Sequence, residues 1–538
     1  MLESESFLGS GYQRSEDASS SGATALEYIP PVSQEIALAR GSSSSDYTGS
    51  EDDSFLETPS PSSLVPASFR PKERQPEIKS LWQLNFHVLF YSCCAAFNSV
   101  LLGFDIGVMG GVVFIVKDLW SLNDGEVGLV MGSLQLCAIP GTFVAGYLSD
   151  KYGRTKSMCA AAVLFCMGGF ILVFSTGKAG LVLGRIITGF GVGIGVSVDP
   201  LYISEISPKE CRGALVTFSE IAINIGITLG YFTTWLFSSM ADRDLSWRLM
   251  LSVGAVLPLI MIFLSLKVMP ESPRYLMSNG QNRMALAVLQ QLCQTEDEAN
   301  LVYLDIEKDI KDNQNKGRNV YRNLLCDASP GIRRMVIVVI VVAVSQQLSG
   351  IDAVMGYMVF TLKDHGIESP QQLFGIQLSV GVVKTAVLVL MVNALDRKYG
   401  RRKLLFISAL GCAASHLIIS LGTLDSHGGA LATIGFYLYV MAFSLGLGPV
   451  TWVFCSEVLP LWARTTGIKV AVSSNRVVSA LFATGFLPVM HAISAPAAFF
   501  SLACVCLLFS LFVWKYVPET KGIKLEEMEA YFNKIVSQ

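Results

Sequence analysis

From about residue 84 onward the chain alternates long apolar runs with short polar segments. A helix needs about 20 apolar residues to cross the hydrocarbon layer of a bilayer, and these runs meet that length. They fall near 84–116, 127–148, 157–176, 180–202, 214–238 and 247–268, then near 334–360, 372–394, 403–422, 431–455, 466–490 and 494–517. The pattern predicts an all-α membrane protein with twelve transmembrane helices, six in an N-terminal bundle (81–268) and six in a C-terminal bundle (334–517). Between them, 269–333 is charged and carries amphipathic patterns such as Asn282 to Gln291, so it is read as an intracellular helical linker that covers the inner face. Residues 1–80, rich in Ser, Pro and acidic residues, are too polar to bury a core and are expected to form a disordered cytoplasmic tail. Residues 518–538 are read as a second cytoplasmic tail.

Polar residues inside the apolar runs carry the functional information. Residues 341 to 357 include Gln346, Gln347 and Asp352 within an otherwise apolar stretch. In hydrocarbon an unpartnered polar group costs several kcal/mol, so these side chains must face other helices or a wet cavity. On a regular helix Gln346, Gly350 and Tyr357 share a face, whereas Asp352 lies roughly 120 to 140° away from the amides. A local break at Gly350 would turn them into one cavity, the construction by which secondary transporters make substrate sites. Helix-to-helix hydrogen bonding is the plainer alternative. A second pair of charges stands in the first half: Asp105 and Arg185 both fall in the outer half of the membrane on spans one and four, and can meet. Such a pair is either a permanent interhelical salt bridge or a proton switch, in which protonation of Asp105 frees Arg185.

Composition narrows the class. The 538 residues are 51% hydrophobic and 15% charged, with mean hydropathy +0.49, which points to a polytopic membrane protein lying in the lipid bilayer. A net charge of −3 offers no basic field, so no nucleic-acid partner is expected. The twelve cysteines fall in predicted spans or cytoplasmic segments, which argues against a disulfide framework. The five histidines show no ligand spacing, so neither a metal nor another cofactor is expected, and a proton is the expected coupling ion. No nucleophile–base pair or nucleotide loop suggests an enzyme. Lys and Arg concentrate in the loops after spans two, four, eight and ten, among them Lys151, Arg154, Arg212, Arg401 and Arg464. With both termini cytoplasmic, these loops lie inside.

The two halves echo each other. Asp150-Lys-Tyr-Gly-Arg154 after the second span recurs as Asp396-Arg-Lys-Tyr-Gly-Arg-Arg402 after the eighth. Glu205 and Arg212 after the fourth recur at the same spacing as Glu457 and Arg464 after the tenth. Pro270-Glu-Ser-Pro-Arg274 parallels Pro518-Glu-Thr-Lys-Gly522. Three pairs in register mark an internal duplication, which in a membrane protein points to two bundles rocking about a central site. The inner-loop groups Asp150, Arg154, Glu205, Arg212, Asp396, Arg401, Glu457 and Arg464 are expected to form a cytoplasmic latch, with Glu205–Arg212 and Glu457–Arg464 as pairs.

These motifs, with Gln346-Gln-Leu-Ser-Gly-Ile351 and Gly448-Pro-Val-Thr-Trp452, make the chain resemble the sugar porter branch of the major facilitator superfamily over about 81–522. The resemblance implies the major facilitator fold, a central site for a hexose or polyol, and alternating access. An Asp at position 105 accompanies proton symport in such relatives. Glu220, Asp352 and Lys384 stand where glucose carriers typically have Gln, Asn and Asn, and this trio resembles plant-type polyol transporters. Lys384 either neutralises Asp352 and fixes helix packing, or these groups hold a polyhydroxylated ligand by charge-assisted hydrogen bonds. Trp452 is expected to offer an apolar face for sugar C–H groups, and Asn475 matches a substrate amide by spacing. The departures are one extra residue in the Asp396 loop, Thr155 in place of a second Arg, and Gly356 in place of a bulky neighbour of Tyr357. The expected function is proton-coupled transport of a neutral polyol or monosaccharide. A facilitative uniporter and a sugar receptor that does not transport are the alternatives; the plasma membrane is the expected location, with a vacuolar or other internal membrane as the alternative.

Overall fold

A computed structural model describes residues 84–208, 211–315, 330–395, 400–459, 463–520 and 532. The tail expected over 1–80, the end of the charged linker, Asp396 and most of 518–538 lie outside the described residues. Every described residue belongs to one compact unit. The first six spans are helices α1 (Phe86–Trp120), α2 (Asp124–Tyr152), α3 (Arg154–Val173), α4 (Lys178–Ile206), α5 (Arg212–Phe237) and α6 (Arg243–Phe263), the last extended by a π turn over Leu264–Val268. Three helices outside the membrane spans follow, α7 (Pro273–Ser278), α8 (Asn282–Leu292) and the longer α9 (Glu296–Asn315). The second set is α10 (Pro330–Leu348) with α11 (Ile351–Asp364), α12 (Pro370–Leu395), α13 (Arg401–Gly422), α14 (Gly429–Leu445) with α15 (Pro449–Val458), α16 (Arg464–Ile493) and α17 (Ala495–Tyr516).

Among the described residues, twelve stretches are long and apolar enough to cross a membrane, and all twelve overlap the runs read from the sequence. Their ends shift by a few residues because capping sets them. Asn123 and Glu126 form a capping box that starts α2 at Asp124, three residues before the apolar run begins. At the far end Gly153 takes φ +97, and the chain reverses directly into α3. Two spans are single apolar runs in the sequence but broken helices in space. Gly350, at φ +87, separates α10 from α11, and Gly446 to Gly448 separate α14 from α15.

Lipid offers no hydrophobic drive for helices to associate, so close backbone approach at small residues does that work. Gly103 and Gly107 of α1 lie against the backbone of Ile223 and Ile227 on α5. A Cβ added at either glycine would fall 2.0 or 2.4 Å from a carbonyl oxygen. Large apolar side chains such as Phe143, Leu390 and Leu508 remain exposed on the spans, the surface a multi-pass membrane protein presents to lipid. Among the described residues, the ion pairs joining the first six spans to the last six sit at one end. They are His491 Nδ1 with Asp124 at 2.5 Å and Lys363 with Asp118 at 3.7 Å. The opposite end carries the loop arginines.

Candidate functional site

The site is built around the two breaks. When α10 ends, the carbonyls near Gly350 lose their helical partners and need others. Ser349 O accepts from the Tyr439 hydroxyl at 3.1 Å and lies 2.8 Å from His416 Nε2, both on neighbouring helices. The second break is held by Gln346, whose Nε2 donates to Leu447 O and Gly448 O, each at 3.1 Å. Asn475 Nδ2 on α16 donates to Gln346 Oε1 at 3.1 Å and to Ala343 O at 2.8 Å, and Gln347 Nε2 donates to Asn475 Oδ1 at 3.2 Å. The plainer reading, helix-to-helix bonding, therefore describes Gln346 and Asn475. Gln347 differs: its Oε1 is buried with no hydrogen-bond partner, an acceptor left for something else.

Asp352, on the first turn of α11, accepts from Ser479 on α16. Lys384 on α12 sits with its ammonium 5.8 Å from the Phe443 ring centroid. Its ammonium forms no direct ion pair with Asp352 or Glu220 and acts on them only at longer range, so the Lys384–Asp352 pair expected as one alternative is not formed. A fourth charge joins them. Arg476, next to Asn475, donates from Nη1 to Gln135 of α2 at 3.1 Å, linking the two halves, while its buried Nε has no partner. The fields of Lys384 and Arg476 both fall on Glu220 and on Asp352. Two acids and two bases thus balance at one level of the molecule. Sequence reasoning passed over Arg476 and Gln135, although the basic residue beside Asn475 in Ser474-Asn-Arg476 was the available signal.

Two other expected ligand residues stand differently. Tyr357 is fully buried, its hydroxyl donates to Ala483 O, and its ring lies 6.0 Å from that of Phe486, so it is committed to packing near the end away from the loop arginines. Trp452 lies on α15 just after the second break and is partly exposed. In the first half, Arg185 Nη1 donates to Asp105. The same guanidinium reaches Val130 O at 3.2 Å and Met131 O at 3.3 Å on α2, so three helices meet on one cation.

The loop charges pair across their own half rather than along the sequence. Arg154 grips Glu205 through Nε and Nη2, both at 2.8 Å, and lies 3.9 Å from Asp150. In the second half Arg401 holds Glu457 at 2.9 Å, and Thr520 donates to the other oxygen of that carboxylate at 2.6 Å. The expected pairs Glu205–Arg212 and Glu457–Arg464 are replaced by these, because the turn after span two brings Arg154 against the end of span four. Arg464 remains under the field of Glu457. Burial and the nearby Arg212 pull its pKa below the usual arginine value, and Glu457 opposes them. Glu271 caps the start of α3 through Arg154 N at 2.8 Å and the Thr155 hydroxyl at 2.7 Å, and Glu519 does the same for Arg401 N at 2.8 Å. Thr155 therefore serves as a carboxylate partner where a second Arg was the common residue. Glu271 and Glu519 stood in the repeated Pro-Glu motifs, without a role until the fold placed them.

Twelve spans, paired breaks in two of them, and polar groups gathered between two similar halves define a membrane transporter of the major facilitator fold. Residues 91–532 match the family model described as sugar (and other) transporter, and the chain belongs to that family. It is 36% identical over 451 residues to probable polyol transporter 4 of Arabidopsis thaliana, covering 83% of this chain and 85% of that protein. Polyol transporter 5 of the same plant is 34% identical over 498 residues, covering 88% and 89%. Among solved structures, the proton:xylose symporter XylE of E. coli, bound to 6-bromo-6-deoxy-D-glucose, superposes with TM-score 0.70 at 27% identity, covering 83% of this chain and 100% of that one. The relatives are transporters, not enzymes.

Proposed function

We propose that this transporter moves a neutral polyol or monosaccharide by proton symport, with Asp105 as the group that carries the coupling proton. The observation that carries the reading is the buried Asp105–Arg185 contact, in which Arg185 has two further acceptors on α2. Protonating Asp105 removes its charge, and the guanidinium shifts its weight to the α2 carbonyls, changing how α1, α2 and α4 pack. That gives a proton a differential hold on two arrangements, which any coupling requires. The relatives named as polyol transporters, and a neighbour named as a proton:xylose symporter, support the substrate class and the coupling.

The balanced quartet Glu220, Asp352, Lys384 and Arg476 suits a solute with many hydroxyls and no net charge. Each hydroxyl donates to a carboxylate or accepts from a cation, and such bonds exceed neutral ones in strength. Gln347 Oε1 adds a neutral acceptor. The arginine-bearing end faces the cytoplasm, by the excess of Lys and Arg there, and the plasma membrane is the proposed location.

One proton falling through 100 mV contributes ~2.3 kcal/mol, and a one-unit pH difference adds ~1.4 kcal/mol, together enough for roughly a few-hundredfold accumulation. The test is uptake of radiolabelled sorbitol, inositol and xylose into proteoliposomes with an imposed pH gradient. The intact protein accumulates its substrate uphill, and Asp105→Asn loses accumulation while retaining counterflow exchange. Equal uptake with and without the gradient would make the protein a facilitator.

A further inference from the structure

Asp199, on α4, is fully buried, and its polar partners both come from α1: Asn98 Nδ2 donates to Oδ1 and Ser99 Oγ to Oδ2, each at 3.0 Å. Both donors are neutral. The other acids buried on α1 and α4 have cations, Arg185 for Asp105 and Arg154 of α3 for Glu205. Among the described residues no cation pairs with Asp199. The Tyr202 hydroxyl, one turn on, is used by Pro270 O at 2.8 Å. Cys94 lies one turn before Asn98 on α1. Ala138 and Thr142 of α2, and Ala161 and Phe165 of α3, meet α4 at Gly193 and Gly191 and carry no titratable group. Glu220 on α5 is set against Lys384 and Arg476.

Asn98 supplies the second observation. It is 2% exposed, and its Oδ1 has no hydrogen-bond partner. Room for the amide is made by Gly195, one turn before Asp199, where an added Cβ would lie 2.3 Å from Asn98 Nδ2. A carboxylate between neutral donors inside a membrane protein is costly, whereas a carboxylic acid needs only an acceptor for its O–H. Half a turn of the amide exchanges Nδ2 for Oδ1, so Asn98 donates to the carboxylate or accepts from the acid. An arginine in its place would serve only the first state.

We propose that Asp199, with Asn98 and Ser99, is a second proton-binding site, separate from Asp105. An O–H bond forms between a carboxylate oxygen and a proton from the aqueous side, and Asn98 Oδ1 accepts from it. On release that bond breaks with its electron pair left on oxygen, and Nδ2 donates again. Asn98 precedes Asp105 by seven residues of α1, so the site lies roughly 10 Å nearer the arginine-bearing end. Protonation here stands by itself, and only a part in conducting the coupled proton rests on the symport reading.

Infrared difference spectra of the full-length chain in lipid vesicles, recorded while the pH is stepped, read the acid directly. The expected result is a carboxylic-acid carbonyl band that Asp105→Asn leaves and Asp199→Asn removes. Ser99→Ala, which takes away one donor and no charge, shifts the frequency of that band and keeps the test open if Asp199→Asn fails to fold. A spectrum unchanged by Asp199→Asn and by Ser99→Ala overturns the site, as does a band abolished by sodium ions at constant pH, which would make the occupant a metal cation. Loss of the band in Asp199→Asn, together with gradient-independent uptake by the intact protein, would uphold this site while removing the symport reading.

Discussion

Gln346 and Gln347 are chemically identical neighbours with different work, and replacing each by leucine separates the two. Gln346 Nε2 bonds Leu447 O and Gly448 O, and its Oε1 accepts from Asn475. Leu447 O keeps the Thr451 hydroxyl at 2.8 Å, and Asn475 keeps Ala343 O, so Gly448 O is the carbonyl left bare by Gln346→Leu. A buried acceptor without a partner costs about 1 to 3 kcal/mol, and two weakened bonds add roughly 1 more, giving about 2 to 4 kcal/mol of lost stability. Gln347→Leu leaves the buried Asn475 Oδ1 without its donor but removes Gln347 Oε1, a buried acceptor that already lacked a partner; the two penalties offset, and the net cost is about 1 kcal/mol or less. If a substrate hydroxyl fills Gln347 Oε1, its loss costs about 1 to 2 kcal/mol of binding, roughly a five- to thirtyfold rise in KM. Thermal unfolding in detergent and uptake kinetics in proteoliposomes measure the two quantities on the same preparations. The pattern expected is a large drop in unfolding temperature with little change in KM for Gln346→Leu, and the reverse for Gln347→Leu. Equal destabilisation with unchanged KM in both would show that the bare oxygen of Gln347 has no ligand.

Gly350→Ala forces a side chain into the left-handed conformation at the α10–α11 break, at a cost of about 1 to 2 kcal/mol. Its Cβ would sit 2.8 Å from Leu502 Cδ1, a flexible end that can yield, so the variant should fold with a lowered unfolding temperature, and an unchanged one would refute the strain. Arg154→Lys keeps the charge but loses the two-pronged grip on Glu205, and with both side chains about nine-tenths buried this should cost about 2 kcal/mol. Arg401→Lys, whose Glu457 partner is more exposed, should cost less, and chemical-denaturation midpoints in detergent would report the order.

What could be read from the chain alone was whatever has a period or a repeat. Twelve apolar runs announced twelve spans because lipid permits little besides a helix of that length, and the six-plus-six echo of Asp150–Arg154, Glu205 and Pro270-Glu announced the duplicated architecture. Asp105 with Arg185, and the amides beside Gly350, were visible because a polar residue inside such a run must find a partner. Partner choice was not visible. Glu205 takes Arg154 rather than Arg212, Lys384 stands off Asp352, Tyr357 turns to Ala483 O, and Asp199 meets Asn98, each decided by contacts between helices far apart in sequence. Hydrogen bonds and ion pairs act over about 3 to 4 Å, while helix identity depends on local composition. Local pattern therefore fixes which elements exist, and only their packing decides which polar atom is satisfied and which is left open to a ligand or a proton.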